Sequence, residues 1–232
     1  MRTIGLLGGM SWESTVTYYT GLNRGARAPG RPALRPLLMV SADFAVVERM
    51  QERGAWAEAG QYLAERARSL ERGGAGCVVL CTNTMHRVYD DLCQAVSIPV
   101  LHIADGTARQ LKAAQVKTVG LLGTRYTMEQ DFYASRLTRS GFEVLVPDPA
   151  GRAIVHDVIY GELCLGQVSG ESRDAYLRIV SSLAARGAEA VVLGCTEIGL
   201  LLDAANCPLP VFDTTLLHVQ AALDWACAGE EA

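Results

Sequence analysis

Short apolar runs rich in Val, Ile and Leu alternate along the chain with longer amphipathic stretches. The apolar runs predict strands that are buried on both faces, and the amphipathic stretches predict helices that cover them. This rhythm is typical of a parallel sheet, so the sequence predicts an α/β fold. The predicted strand and helix pairs of the first hundred residues are Thr3–Leu7 with Ser14–Asn23, Leu37–Ser41 with Trp56–Arg72, and Cys77–Cys81 with Met85–Gln94.

The second half of the chain repeats the first. A single match between two buried strands could arise by chance, because such strands are generally rich in Val and Leu. Three matches in one order are harder to explain that way, so the sequence predicts two similar α/β halves related by a pseudo-twofold. The matching segments begin at Thr3 and Thr118, at Gly73 and Arg186, and at Ile98 and Leu209, with offsets of 115, 113 and 111 residues.

The repeat also divides the chain into parts. We expect residues 1–103 to form the first half and residues 104–210 the second. Residues 211–232 are expected to pack back on the first half as a C-terminal segment.

Polar loops follow the predicted strands at equivalent places in both halves. In open α/β sheets, ligands bind beyond the carboxyl ends of the strands, where loops enter helices. We therefore expect the four repeated loops to meet in one cleft between the halves and to supply the substrate contacts, among them Met10, Ser11, Thr124 and Glu197. The loops are Gly8–Ser11, Thr82–Thr84, Gly123–Tyr126 and Cys195–Glu197.

The repeat aligns Thr82, and not Cys81, with Cys195. Two proton-handling groups that enter a cleft from opposite sides suit inversion at a carbon atom. We expect Cys195 to be the base, because a helix beginning there would favour the thiolate over the ordinary pKa of about 8.5. Thr82 would donate or relay a proton. Cys195 could instead be an inert buried thiol, and the Thr82 hydroxyl could simply cap its helix.

Neutral polar side chains lie beside both candidate groups. Asn83, Thr84 and Thr196 suit a carboxylate and the negative charge that develops on it after α-deprotonation, although all three could equally be helix caps. His86 is a weaker candidate that could tune Thr82 or be structural. Arg49 and Arg53 could clamp a distal carboxylate or lie on a solvated helix face. Gln51 is a comparably weak candidate for a neutral polar contact.

Composition and missing motifs exclude several classes of protein. The 21 Lys and Arg residues against 25 Asp and Glu argue against nucleic-acid binding. The apolar run Ile4–Leu7 is too short for a signal peptide and no membrane-spanning run follows, so we expect a cytoplasmic protein. Seven cysteines without a C-x-x-C pair indicate reduced thiols, and nucleotide and metal motifs are absent, so we expect neither cofactor nor metal.

At these residues the sequence resembles the aspartate/glutamate racemase family over essentially the whole chain. The resemblance implies two Rossmann-like halves with parallel four-stranded sheets, assembly as a homodimer, and a two-base reaction on a small amino acid without pyridoxal phosphate or metal. The matching strings are GLLGGMSWEST (Gly5–Thr15), CTNTMH (Cys81–His86), LLGTRYTMEQDFY (Leu121–Tyr133), ELCLGQ (Glu162–Gln167), GCTEIGLL (Gly194–Leu201) and PVFDTT (Pro210–Thr215).

Two departures from the family pattern bear on function. Members usually read C-N-T-x-H in the first motif, whereas Thr82 occupies the first base position here. A branch with this threonine prefers L-aspartate or L-glutamate, which implies that Cys195 takes the α-proton of the L-enantiomer. Many relatives carry a lysine in the E-L-x-x-G stretch, where this chain has Cys164, and this keeps broader amino-acid specificity open. A related dicarboxylate isomerase or decarboxylase and a non-catalytic amino-acid-binding protein are also compatible with these residues.

Overall fold

A computed structural model of the chain describes residues 2–26 and 36–228. The chain folds into two units. The first comprises the residues up to Ile103 together with those from His218 onward, and the second runs from Ala104 to Leu217.

The first unit contains a parallel sheet of four strands in the order β2-β1-β3-β4. Every residue of the central strands β1 and β3 is buried, which explains why these segments are apolar throughout rather than alternating. Its elements are β1 (Ile4–Gly8), α1 (Trp12–Gly25), β2 (Leu37–Ser41), α2 (Phe44–Glu52), α3 (Trp56–Arg72), β3 (Cys77–Leu80), a 3₁₀ helix (Thr84–Val88), α4 (Tyr89–Ala95) and β4 (Val100–Leu101).

The second unit contains a parallel sheet of the same design, in the order β6-β5-β7-β8. The matching strand orders confirm the predicted pair of α/β halves with four-stranded parallel sheets. Its elements are α5 (Ile103–Ala113), β5 (Thr118–Gly123), α6 (Arg125–Glu129), α7 (Asp131–Arg139), β6 (Glu143–Leu145), α8 (Pro149–Gly161), a 3₁₀ helix (Leu163–Leu165), α9 (Gly170–Ala185), β7 (Ala190–Gly194), a 3₁₀ helix (Thr196–Leu200), β8 (Val211–Asp213) and α10 (Thr214–Cys227). The boundaries between the two units fall within α5 and within α10.

The expected C-terminal segment 211–232 is divided between the units. Strand β8 pairs with β7 and completes the second sheet, so the second unit ends at Leu217 rather than at residue 210. From His218 onward the chain belongs to the first unit, where Val219 and Leu223 of α10 pack against Ile4 and other residues of β1. Residues 229–232 of the expected segment lie outside the described residues. None of the helices in the described ranges combines the length and the apolar content that a membrane span requires.

A buried histidine joins α10 to the first sheet. The Tyr18 hydroxyl lies 2.8 Å from Nδ1 of His218, and Nε2 of the same ring lies 3.0 Å from the Leu101 carbonyl oxygen. Because a carbonyl only accepts, Nε2 carries the hydrogen and Nδ1 accepts from Tyr18. Burial, together with the nearby His86 ring, lowers the pKa of His218 to about 3. The ring is therefore neutral in the folded protein at physiological pH.

This neutral ring predicts a dependence of stability on pH. An unfolded imidazole gains a proton below about pH 6.5, whereas folded His218 stays neutral down to about pH 3. The free energy of unfolding should therefore fall by up to about 1.4 kcal/mol per pH unit below pH 6.5 through this group alone. Urea titrations at several pH values should show this slope in the wild type and a shallower one in His218→Gln. Equal slopes in the two proteins would contradict the assignment.

Candidate functional site

The loop after β1 is shaped by a glycine. Gly9 has a positive φ of 87°, and a Cβ atom there would lie 2.3 Å from the Ala42 carbonyl oxygen, so no other residue fits without displacement of the backbone. Its N–H donates to Thr15 Oγ1 at 2.8 Å, which ties the loop to α1. This close approach to the connection after β2 accounts for Gly9, the residue that follows the strand.

The side chains of this loop already have structural partners. Met10 is buried in the core of the first unit. Ser11 is the N-cap of α1, where its Oγ accepts from the backbone N–H of Ser14 at 3.1 Å. Contact of either side chain with substrate stays a prediction.

The polar candidates on α2 and at its C-terminal cap separate into one buried and two exposed residues. Gln51 is buried, and its Nε2 lies 2.9 Å from the sulfur of Met85. Arg49 and Arg53 are exposed, and Arg53 forms an ion pair with Glu58 at 3.4 Å. Both arginines thus lie on a solvated face, which is one of the two interpretations given for them above.

Thr82 is half-buried and follows the last residue of β3 by two positions. Its backbone N–H donates to the Leu80 carbonyl at 2.9 Å, and its own carbonyl lies 2.7 Å from Nδ1 of His86. The following 3₁₀ helix begins at the buried Thr84, with Asn83 in the cap position and no capping bond from the Asn83 side chain. Thr82 is therefore not in the cap position of this helix.

Cys81, the neighbour of Thr82, belongs to the core. Its side chain is fully buried, and its sulfur lies 3.6 Å from the Val79 carbonyl oxygen. Burial raises the pKa of the Cys81 thiol far above its ordinary value. The thiol is inert at neutral pH, as expected if Thr82 is the counterpart of Cys195.

The second unit presents its candidates at the carboxyl ends of β5 and β7. Thr124 is buried and caps α6, where its Oγ1 accepts from the backbone N–H of Thr127 at 3.4 Å. Cys195 follows β7 in extended conformation and is half-buried. Its sulfur donates to Oε2 of Glu197 at 2.9 Å, and the hydroxyl of Thr196 donates to the same oxygen at 2.6 Å.

The expected stabilisation of the Cys195 thiolate is wrong. Burial raises the pKa of Cys195 well above its ordinary value, and the carboxylate of Glu197 raises it further, because a thiolate would lie beside a negative charge. The segment that follows is also a short 3₁₀ helix, Thr196–Leu200, and not the α-helix whose positive end was expected to favour ionisation. Cys195 therefore rests as a thiol that donates to Glu197.

This electrostatic assignment predicts an effect of Glu197→Gln. Removal of the carboxylate charge should lower the pKa of Cys195 and speed its alkylation by iodoacetamide at pH 8 on the order of tenfold. Mass spectrometry of the peptide that carries Cys195 measures the rate, and the half-buried Cys207 provides an internal reference. An unchanged or slower reaction of Cys195 would contradict the assignment.

Two further groups near this edge receive no catalytic role from the sequence, although one of them, Cys164, bears on specificity. Oδ1 of Asp213 accepts from the backbone N–H groups of Thr215 and Leu216 at 2.8 and 3.2 Å, and so caps the start of α10. Burial raises the pKa of Asp213 despite these bonds. The repeat aligns Asp213 with His102, and this alignment is the one feature of the sequence that singles out Asp213. Cys164 is among the groups that raise the pKa of Cys195, so it lies near that sulfur.

Within the described ranges, no group of three or more His, Cys, Asp or Glu side chains is arranged to hold a metal ion. In the first unit, His86 and His218 each use both ring nitrogens in hydrogen bonds within the protein. The ring nitrogens of these two residues are therefore already engaged by groups of the protein.

Comparison with known proteins agrees with this architecture. The family model for Asp/Glu/Hydantoin racemase matches residues 7–222. The crystal structure of a protein assigned as an Asp/Glu racemase from Yersinia pestis is 49% identical, with a TM-score of 0.92 over 97% of this chain and 99% of that one. An aspartate racemase homologue from Pyrococcus horikoshii OT3 is 32% identical, with a TM-score of 0.85 over the same shares of the two chains.

A curated relative with a stated activity is more distant. The broad specificity amino-acid racemase RacX of Bacillus subtilis (strain 168) is 27% identical over 146 residues, which span 63% of this chain and 63% of that protein. The match to the family model over residues 7–222 and the two structural matches confirm the expected family. The chain therefore belongs to the Asp/Glu/Hydantoin racemase family.

Proposed function

We propose that the protein is a cofactor-independent amino-acid racemase with L-aspartate and L-glutamate as leading substrates. Cys195 removes the α-proton of the L-enantiomer, and Thr82 delivers a proton to the opposite face of the same carbon. This chemistry requires the two side chains to reach one α-carbon from opposite sides.

The observation that carries the proposal is the strand register, which supports the pairing without any sequence alignment. In the first sheet, Leu80 of β3 is paired with β1, and Thr82 follows two residues later. In the second sheet, Leu193 of β7 is paired with the equivalent position of β5, and Cys195 also follows two residues later. Cys81 falls one position short. Thr82 and Cys195 thus have the same place in two sheets of the same topology.

The resting thiol must lose its proton before it can act as a base. Oε2 of Glu197, 2.9 Å from the sulfur, is the acceptor in the structure. Proton transfer from Cys195 to Glu197 leaves the net charge of the pair unchanged, so burial opposes it less than it opposes loss of the proton to solvent. We propose that Glu197 serves in this way rather than as a direct substrate ligand.

The remaining steps balance as follows. The thiolate takes the α-proton, and the electron pair of the C–H bond moves into the substrate α-carboxylate. Asn83, Thr84 and Thr196 supply the hydrogen bonds that stabilise the resulting charge. The hydroxyl of Thr82 then protonates the carbon from the other face. The alkoxide regains a proton from solvent and Glu197 releases to solvent the proton that it took from Cys195, so both units return to their resting states.

Broader specificity is the second candidate, and Cys164 favours it. This thiol lies near Cys195, at the place where many relatives carry a lysine, and it offers no positive charge to a distal carboxylate. Similarity to the broad specificity racemase of Bacillus subtilis also supports broader substrate specificity. Dimeric assembly and a cytoplasmic location stay predictions.

Chiral chromatography tests the proposal. The protein is incubated without cofactor with L-aspartate, L-glutamate and a panel of neutral L-amino acids. Formation of D-aspartate or D-glutamate is expected, and comparable conversion of neutral amino acids would shift the assignment to a broad-specificity racemase. Release of CO₂ from dicarboxylates without any D-enantiomer would indicate a decarboxylase. Tight binding by calorimetry with no turnover across the panel would contradict the proposal and indicate a binding protein.

A further inference from the structure

We infer that His86 is a positioning residue for Thr82: its ring fixes the Thr82 carbonyl and thereby the direction of the hydroxyl that protonates the substrate. This inference rests on the proposed function.

Two hydrogen bonds define the state of the His86 ring. Nδ1 lies 2.7 Å from the Thr82 carbonyl oxygen, and the backbone N–H of Ile103 donates to Nε2 at 3.1 Å. Because a carbonyl only accepts and a backbone N–H only donates, Nδ1 carries the hydrogen and Nε2 carries none. The neutral ring therefore connects the loop after β3 to Ile103, the first residue of α5.

Neighbouring rings hold the imidazole in place. His86 is 2% exposed. Its centroid lies 4.6 Å from that of His102 and 5.7 Å from that of His218, and the Tyr89 ring is stacked on it at 6.4 Å. A ring enclosed in this way cannot rotate without repacking the core, so the Thr82 carbonyl is held by a rigid donor.

The backbone hydrogen bonds of Thr82 limit the directions that its hydroxyl can take. The N–H group of residue 82 is bonded to Leu80 and its carbonyl to His86, so the peptide groups on both sides have fixed partners. Threonine is β-branched and has few χ1 rotamers. Fixing the backbone at this position therefore restricts the hydroxyl to few directions.

The second unit has no histidine at the position equivalent to His86. The repeat aligns His86 with Gly199, which has no side chain that could reach back to Cys195. The sulfur of Cys195 is instead held directly by Glu197, at 2.9 Å. The proton carrier of the first unit is thus positioned through its backbone, and that of the second through its side chain.

Two substitutions separate the bonds of His86. In His86→Asn the amide lies near the position of Nδ1 and can still donate to the Thr82 carbonyl. In His86→Gln the amide lies near the position of Nε2, so it retains a partner for Ile103 and loses the bond to Thr82. The readout is the ratio of D-enantiomer formed to α-deuterium incorporated into the recovered L-substrate in D₂O.

We expect His86→Gln to lose inversion by about tenfold or more, because small misplacements of a reacting group are costly, while exchange by Cys195 falls by about twofold at most. His86→Asn should recover most of the inversion. Tyr18→Phe is the matched control, because it removes a hydrogen bond of the same buried cluster at His218 without contact to Thr82. Its ratio of inversion to exchange should equal that of the wild type even where its melting temperature falls.

A purely structural role for His86 would give a different pattern. Inversion and exchange would then fall in the same proportion in His86→Gln, or His86→Asn would be as impaired as His86→Gln, and either result would overturn the inference while leaving the proposed function in place. A wild-type protein with neither exchange nor inversion would overturn both.

Discussion

Cys195→Ser is expected to abolish both α-deuterium exchange and D-enantiomer formation, with a loss of at least about 10³-fold. A serine hydroxyl is far less acidic than a thiol and cannot take the α-proton at neutral pH. It can still donate to Glu197 as the thiol does, so the fold should be retained. Chiral chromatography and proton NMR in D₂O measure the two losses, and a thermal melt close to that of the wild type shows that they are chemical.

Cys81→Ala is the matched control for this variant. Cys81 carries a buried thiol one position before Thr82, and its loss should cost stability but leave catalysis largely intact. If Cys81→Ala were as inactive as Cys195→Ser, the register that pairs Thr82 with Cys195 would be wrong. Full activity in Cys195→Ser would remove Cys195 from the reaction.

Thr82→Val is expected to lose about 10²-fold of the inversion while α-deuterium exchange from the L-enantiomer persists. Valine keeps the shape of threonine and the backbone bonds to Leu80 and His86, but it offers no proton. Cys195 can then only return a deuteron to the face from which it took the proton. The recovered L-substrate should gain deuterium as the D-enantiomer ceases to form.

Thr82→Cys completes the comparison, because a second thiol restores a proton donor at this position and should restore inversion. Wild-type inversion in Thr82→Val would show that another group protonates the opposite face. Equal loss of exchange and inversion in that variant would show that Thr82 serves binding rather than proton delivery.

The fold could be predicted in detail because it depends on local pattern and on the internal repeat. The predicted strand Leu37–Ser41 and helix Trp56–Arg72 have the observed bounds. The predicted helix Met85–Gln94 is instead a 3₁₀ helix followed by α4, because the backbone at Val88 departs from helical geometry. The periodicity of apolar residues does not distinguish these two kinds of helix over so few turns.

The electrostatics of the site could not be predicted, because they depend on atoms that the sequence pattern does not place. A Gly-Cys-Thr-Glu loop after a strand indicated a helix start at Cys195, whereas the structure directs the Glu197 carboxylate at the sulfur and reverses the expected pKa shift. The contact of Tyr18 with His218 joins residues 200 positions apart and leaves no periodic signal. The end of the second unit was misplaced for a related reason, since the pairing of β8 with β7 is a long-range contact.

The isotopic composition of the first product tests the central claim most directly. Wild-type protein is given unlabelled L-aspartate or L-glutamate in D₂O, and the D-enantiomer is analysed by mass spectrometry at a few per cent conversion. If Cys195 removes the proton and a separate group on the other face supplies the new one, every molecule of D-enantiomer carries deuterium at the α-carbon. A D-enantiomer that retains a substantial fraction of the original protium would mean that one group carries the hydrogen between the two faces, and would contradict the account.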